Sequence, residues 1–236
     1  MEIGYWDVKG RLEPIRWLVG YLGLPVKWTE HEFKTYQNWF ASKGTIGLDF
    51  PNLPYLKDGD FNATESEAIP LYLINKSGKV DLLGNNFKEA SQIRQIEGVL
   101  SDIKNDMYKS MYIGTDAASI KVSFGKSVEP GSLMATKIGQ LSKFLGDKEY
   151  LLGHLTYADF IVAYWLELIS VISLSLEVDS PFKPFENLCK LSHRVKALPG
   201  VKERVESSKE IKYSPMFKFP CLNLKEYEEK VAACHK

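Results

Sequence analysis

Cysteine is scarce in this chain of 236 residues. There are three, Cys189, Cys221 and Cys234, all late in the sequence and none in CxxC spacing. That set argues against a disulfide scaffold or a zinc site and suits a reducing compartment. No cysteine lies near the first strand, which speaks against a thioredoxin-like disulfide oxidoreductase. The four histidines are scattered, so no metal cluster is expected. An excess of one charge is missing too. Thirty basic residues balance thirty acidic ones, leaving no overall field for nucleic acid or an anionic membrane. No G-x-S-x-G occurs, so a serine hydrolase has no support. Glu2 and Asp7 interrupt the start, where a signal peptide would need an apolar run. The longest apolar stretch, Phe160 to Leu176, carries Glu167 and three serines and reads as a buried core helix rather than a membrane span. The expectation is a cytoplasmic protein with no nucleic-acid or membrane partner.

What is present is an ordinary globular composition, 44% hydrophobic and 25% charged, long enough for one or two domains. The first part alternates strand and helix signals. Ile3 to Trp6 reads as a strand, and Glu13 to Gly23 as a helix stopped by Gly23-Leu24-Pro25. Val26 to Phe33 is a weak strand, and Phe50 to Ala63 a strand, turn and return strand. Thr64-Glu65-Ser66-Glu67 reads as a helix start with a capping box, and Pro70, past its first turn, is expected to kink that helix. After the Gly/Asn-rich stretch Ser77 to Asn86 the pattern turns helical. Ile93, Ile96, Leu100, Ile103 and Met107 share one face, as do Met134, Ile138, Leu141 and Leu145. Thr156-Tyr157-Ala158-Asp159 is a second capping-box pattern, and Phe185 to Leu198 a further amphipathic candidate. The layout is a small α/β domain (1–78), a linker (79–87) and an all-helical domain (88–236).

Tyr5 sits at the end of the first strand, just before the turn Val8-Lys9-Gly10-Arg11-Leu12. That arrangement brings its hydroxyl near helix-terminal N–H groups and the Arg11 guanidinium, a corner of donors and positive charge that suits a thiolate. The bland alternative is a strand tyrosine with its hydroxyl at the surface.

Several stretches resemble one family. Gly4-Tyr5-Trp6-Asp7 and Gly47-Leu48-Asp49-Phe50-Pro51-Asn52-Leu53-Pro54-Tyr55-Leu56 are similar to the mu class of cytosolic glutathione transferases. Gly10 to Leu18 is more alpha- and sigma-like. Thr64 to Ile69 resembles the family's glutamine-or-glutamate plus serine signature, and Gly153 to Phe160 its helical-domain capping box. The resemblance implies an α/β thioredoxin-like N-terminal domain followed by an all-α C-terminal domain. It also implies an enzyme that conjugates glutathione, a cosubstrate rather than a cofactor, to small hydrophobic electrophiles. A glutathione-dependent isomerase or peroxidase, or a non-catalytic carrier of the same fold, are the competing readings.

The resemblance also suggests roles. Tyr5 would activate the thiol with help from Arg11, and Trp6 would line the pocket. Ser66 would hold the γ-glutamyl carboxylate and Glu65 the adjacent ammonium, although both suit a plain helix start. Leu53-Pro54 resembles a cis-proline turn that presents the Leu53 N–H and C=O to the cysteinyl backbone, with Asn52 beside it. Trp39 and Lys43, one helical turn apart, would take the glycyl carboxylate. The basic residue expected three before the tryptophan is here Tyr36. Phe50 resembles an aromatic key that inserts into a second subunit, implying a homodimer. Asp102, in competition with Ser101 and Asp106, would reach across that dimer. Tyr112 would face the electrophile, near Met107, Tyr108 and Met111. Met216 and Phe217 would cap the pocket.

Overall fold

The computed structural model describes residues 1–211, 213 and 217–234. The chain opens with β1 (Glu2–Trp6), α1 (Glu13–Leu22) and β2 (Lys27–His31), a βαβ unit whose strands pair in parallel from Glu2↔Lys27 to Trp6↔His31. Gly23 ends α1 in the left-handed conformation, at φ 67°. After α2 (Tyr36–Ser42) come β3 (Tyr55–Asp58) and β4 (Phe61–Thr64), an antiparallel hairpin added to β1. The order is β2-β1-β3-β4, a mixed four-stranded sheet, and α3 (Ala68–Ser77) packs beside α1.

The remaining elements are helices: α4 (Phe87–Ile113), α5 (Ala117–Val128), α6 (Leu133–Leu145), α7 (Tyr157–Ser175), α8 (Glu186–Lys196), α9 (Val201–Ser207) and α10 (Leu224–Cys234). α7 is the axis of this domain. It passes a length-and-apolarity test for a membrane span, but all of it except Ser170, Leu174 and Ser175 is buried inside the protein. Its start is fixed by the buried Asp159 carboxylate, which accepts from Leu151 N at 2.8 Å, Thr156 N at 2.8 Å and Thr156 Oγ1 at 2.9 Å. Burial pushes this carboxyl up, while those hydrogen bonds pull it back.

α1 joins the two halves. Ile15 and Val19 pack on the sheet with Leu12, Leu56 and Ile69, whereas Trp17 and Leu18 belong to the core around α7. α1 and α9 touch backbone to backbone: a Cβ on Gly20 would lie 2.4 Å from the Gly200 carbonyl oxygen, so neither glycine has room for a side chain. Glu13, wholly buried at the start of α1, is clamped by Arg204 of α9 at 2.9 and 3.0 Å and by Arg16 at 3.2 Å. Desolvation raises its carboxyl, but Arg204, then Arg16 and Lys9, outweigh that and hold it below the usual carboxylate range.

Two expectations about α3 are corrected. Thr64 does not start the helix; it pairs with Tyr55 in β4, and the helix begins at Ala68, so the Thr64/Glu67 box does not form. Pro70 then falls at the third helical position. It lies inside the first turn rather than past it, a place where proline is tolerated.

Candidate active site

The sheet gathers the candidate residues at one edge. Tyr5 and Trp6 end β1. Because β3 runs antiparallel to β1, Leu53 and Pro54 precede β3 at that same edge. Because β4 returns antiparallel, Glu65 and Ser66 follow it there as well. Arg11 arrives from the 3-10 turn Gly10–Leu12 that leads into α1.

Tyr5 is buried, and its phenolic oxygen accepts the Arg11 backbone N–H at 3.1 Å. The N–H occupies one lone pair and polarises the phenol, while the O–H proton stays free to donate. Desolvation pushes this phenol above its ordinary value, against the lowering pull of the Arg11 N–H and the Arg11 and Arg16 charges, so it remains protonated at neutral pH. Gly10, at φ +48°, lies so close that a Cβ there would come within 2.7 Å of the Tyr5 oxygen. Tyr5 lines a cleft of about 290 Å³ together with Trp6, Arg11, Phe33, Tyr108, Tyr112 and Phe217 among others. The Arg11 guanidinium lies over the Tyr108 ring, 5.4 Å from its centroid, and Tyr108 stacks on Tyr112. Burial pushes the Tyr108 hydroxyl up to about 12, so it too is a donor at neutral pH. Trp6 packs edge-on to Phe33 and Trp39.

At the start of α3, Glu65 adopts φ +76°, a left-handed conformation uncommon outside glycine. Its carbonyl accepts both Ala68 N and Ile69 N at 3.1 Å. The Ser66 and Glu67 N–H groups, one and two residues on, have no acceptor among the described residues, which is the condition for binding an anion. Asn52 Nδ2 donates to Glu65 Oε1 at 3.3 Å, joining those two candidates. The Leu53–Pro54 bond is cis. The Leu53 N–H, however, donates to Asn52 Oδ1 at 2.9 Å, so the group expected to face a ligand is held by its neighbour's side chain.

Other candidates lie further out. Trp39 is buried and stacked on Tyr55, part of the sheet core rather than a surface residue. Lys43 begins a 3-10 turn just past α2, and its ammonium lies over the exposed Phe40. Within one chain Asp102 is not at the cleft: it pairs with Lys137 of α6 at 2.9 Å. Lys104 of α4 lies 3.7 Å from Glu67 at the start of α3, and Glu97 and Leu100 of the same helix line a cleft with Ser66 and Glu67. Phe50 is 79% exposed. Met216 lies outside the described residues.

Asn105 and Tyr213 also line the cleft. Asn105, Tyr108 and Tyr112 recur at i, i+3 and i+7, a helical-face signal visible in the sequence. Tyr213 has no such signal. Among the described residues no three His, Cys, Asp or Glu side chains gather to hold a metal.

A thioredoxin-like domain whose first strand ends in a buried tyrosine, backed by a helical domain, defines the class. The family model for the glutathione S-transferase N-terminal domain matches residues 1–75, and that for the C-terminal domain matches residues 102–208. The chain is 32% identical over 215 residues to the glutathione S-transferase class-mu 26 kDa isozyme 51 of Fasciola hepatica, covering 90% of this chain and 91% of the relative. It is 33% identical over 223 residues to glutathione S-transferase Mu 1 of Oryctolagus cuniculus, covering 92% and 95%. The crystal structure of the glutathione S-transferase Blo t 8 superimposes with a TM-score of 0.81 at 31% identity, covering 93% of this chain and 99% of that one. This chain belongs to the glutathione S-transferase family.

Proposed function

We propose that this protein binds glutathione along the sheet edge, holds its sulfur as a thiolate beneath the Tyr5 hydroxyl, and lets it attack a small hydrophobic electrophile in the cleft under α4. The observation that carries this reading is the Arg11 N–H donated to the Tyr5 oxygen at 3.1 Å. It fixes the phenol while leaving its proton to donate. A free thiol titrates near ~8.5, and lowering that by ~2 units takes about 2.7 kcal/mol of preference for the anion. A hydrogen bond to a charged acceptor contributes roughly 1.5–3 kcal/mol, and the adjacent helix start adds to it. The thiol proton leaves to solvent and Tyr5 keeps its own. Catalysis then rests on proximity and thiolate activation, with no covalent enzyme intermediate.

The rest of glutathione follows the charges. Its γ-glutamyl carboxylate meets the Ser66 and Glu67 N–H groups, with Glu65 and Asn52 alongside for the ammonium. The Leu53-Pro54 turn faces the cysteinyl backbone, and Trp39 and Lys43 lie towards the glycyl end. Arg11, Tyr108 and Tyr112 line the electrophile side.

The protein acts as a cytoplasmic homodimer in this reading. Phe50 is an exposed aromatic key, and a groove of about 160 Å³ between α4 and α6, lined by Ile96, Val99, Leu141 and Phe144, offers it apolar walls. Asp102, on α4 beside α6, is our candidate for contact with the partner's site.

Assays with glutathione and 1-chloro-2,4-dinitrobenzene, organic peroxides and an unsaturated ketone test the reading. Conjugate formation from the first substrate is the expected result. Turnover of the peroxide or ketone alone would favour the peroxidase or isomerase alternative. Glutathione binding with no turnover of any substrate would leave a carrier and contradict the proposal.

A further inference from the structure

Behind the cleft lies a buried group of charges that the proposed chemistry does not use. Lys9, in the turn after β1, is 1% exposed. A lysine is almost never buried that completely unless paired. Its Nζ donates to Tyr213 Oη at 3.5 Å and lies 3.8 Å from Glu167 Oε1 of α7. Tyr213 Oη in turn donates to that same Glu167 oxygen at 2.7 Å. Lys196 of α8 lies 3.3 Å from the other carboxylate oxygen as an ion pair, without hydrogen-bond geometry. Glu13, Arg16 and Arg204 are the next charges, from α1 and α9.

Such a group is poor evidence for stability, because buried ions replaced by apolar side chains of similar volume often leave a protein as stable or more so. Its geometry suggests another use. Arg16, Lys9 and Tyr213 hold the turn that carries the Tyr5 partner. Arg16 donates to the Val8 carbonyl at 2.8 Å, Lys9 is tied through its side chain, and the Gly10 N–H donates to the Tyr213 carbonyl at 3.3 Å. The next residue, Arg11, gives its N–H to the Tyr5 oxygen. Tyr213 belongs to the C-terminal segment and lines the cleft together with Phe217, so one side chain touches both the turn and the cleft wall.

We propose that Lys9 and Tyr213 are positioning residues: through Glu167 they lock the β1–α1 turn to the C-terminal segment, so that the Tyr5 proton and the cleft wall are set together. This rests on the proposed thiolate chemistry.

The test uses the full-length protein with glutathione and 1-chloro-2,4-dinitrobenzene, in four variants. Tyr213→Phe removes one hydroxyl and keeps the ring; Lys9→Met removes the charge and keeps the length. The double variant and Tyr5→Phe complete the set. We expect each of the first two to lower kcat by ~10-fold. The inflection in kcat/KM against pH should rise by about half a unit or more, with the glutathione KM within roughly threefold. The double variant should lose little beyond the worse single one, because the pair acts as a unit. A lower Tm with kcat and the inflection unmoved would overturn the inference, and so would additive losses. If Lys9→Met does not fold, Tyr213→Phe alone decides. If Tyr5→Phe moves the inflection and Tyr213→Phe does not, the inference fails and the thiolate reading stands. If Tyr5→Phe itself leaves the inflection unmoved, that reading fails and the inference with it.

Discussion

A methyl group on Gly10 probes the site at its tightest point. Gly10 has φ +48°, and an added Cβ would lie 2.7 Å from the Tyr5 oxygen and 2.9 Å from its Cε1. Ordinary contact begins near 3.4 Å, so Gly10→Ala must push the phenol aside by about 0.7 Å. The left-handed backbone adds roughly 1–2 kcal/mol of strain, and the displaced phenol loosens its bond from the Arg11 N–H, a further ~1 kcal/mol. For a chain of this size that lowers Tm by roughly 4–12 °C. The effect on chemistry is larger, because a donor misplaced by ~1 Å can cost 10²-fold in rate. We expect kcat to fall roughly 30- to 100-fold in the conjugation assay, with glutathione affinity within a few-fold. Gly23→Ala is the control. Gly23 also has positive φ, 67°, but a Cβ there meets nothing within 4 Å, so it should lower Tm without changing kcat. Gly10→Ala with wild-type kcat would refute the reasoning, since the phenol could then move without consequence.

Three further outcomes follow. Phe50→Ala should raise the dimer dissociation constant by at least ~30-fold, from about 2 kcal/mol or more lost when a buried aromatic anchor is truncated; sedimentation showing an unchanged dimer would count against the key. Asp159→Ala should destabilise the fold by about 3 kcal/mol, because three buried donors lose their acceptor; a denaturant midpoint near wild type would contradict that. Glu13→Gln should destabilise at neutral pH by roughly 3–5 kcal/mol, leaving Arg16 and Arg204 unpaired. Since the folded Glu13 carboxyl lies below its unfolded value, its stabilisation is complete above the ordinary carboxylate range and is lost as pH falls through the folded value. The gap between wild type and Glu13→Gln should therefore close in acid, and a gap that widened there would reverse the sign.

Much of the architecture was legible because it rests on local pattern. β1, α1, the β3–β4 hairpin, α4, α6, α7 and α8 each carry a period or a stop signal of their own. α9 and α10 are short and carry weaker signals, while α5 has one, since Asp116 and Ser119 form a capping box and Ile120, Phe124 and Val128 recur every four residues. The start of α3 misled because Thr64 and Glu67 have capping-box spacing, yet Thr64 is claimed by strand pairing with Tyr55. The sheet-edge candidates were visible because each lies at the end of an element. The neighbours of Asp102 were not, since which face of α4 meets α6 depends on how the helices pack. Nor was the Lys9–Tyr213 contact, made across 204 residues with no local signal at either end.

The central claim is that the Tyr5 proton stabilises sulfur as an anion. Titrating glutathione bound to the wild type and to Tyr5→Phe, by the ultraviolet absorbance of the thiolate, tests it most directly. In the wild type the bound thiol should titrate ~2 units below the free value of about 8.5; in Tyr5→Phe it should return most of the way while affinity stays within a few-fold. The same titration midpoint in both proteins would contradict the account.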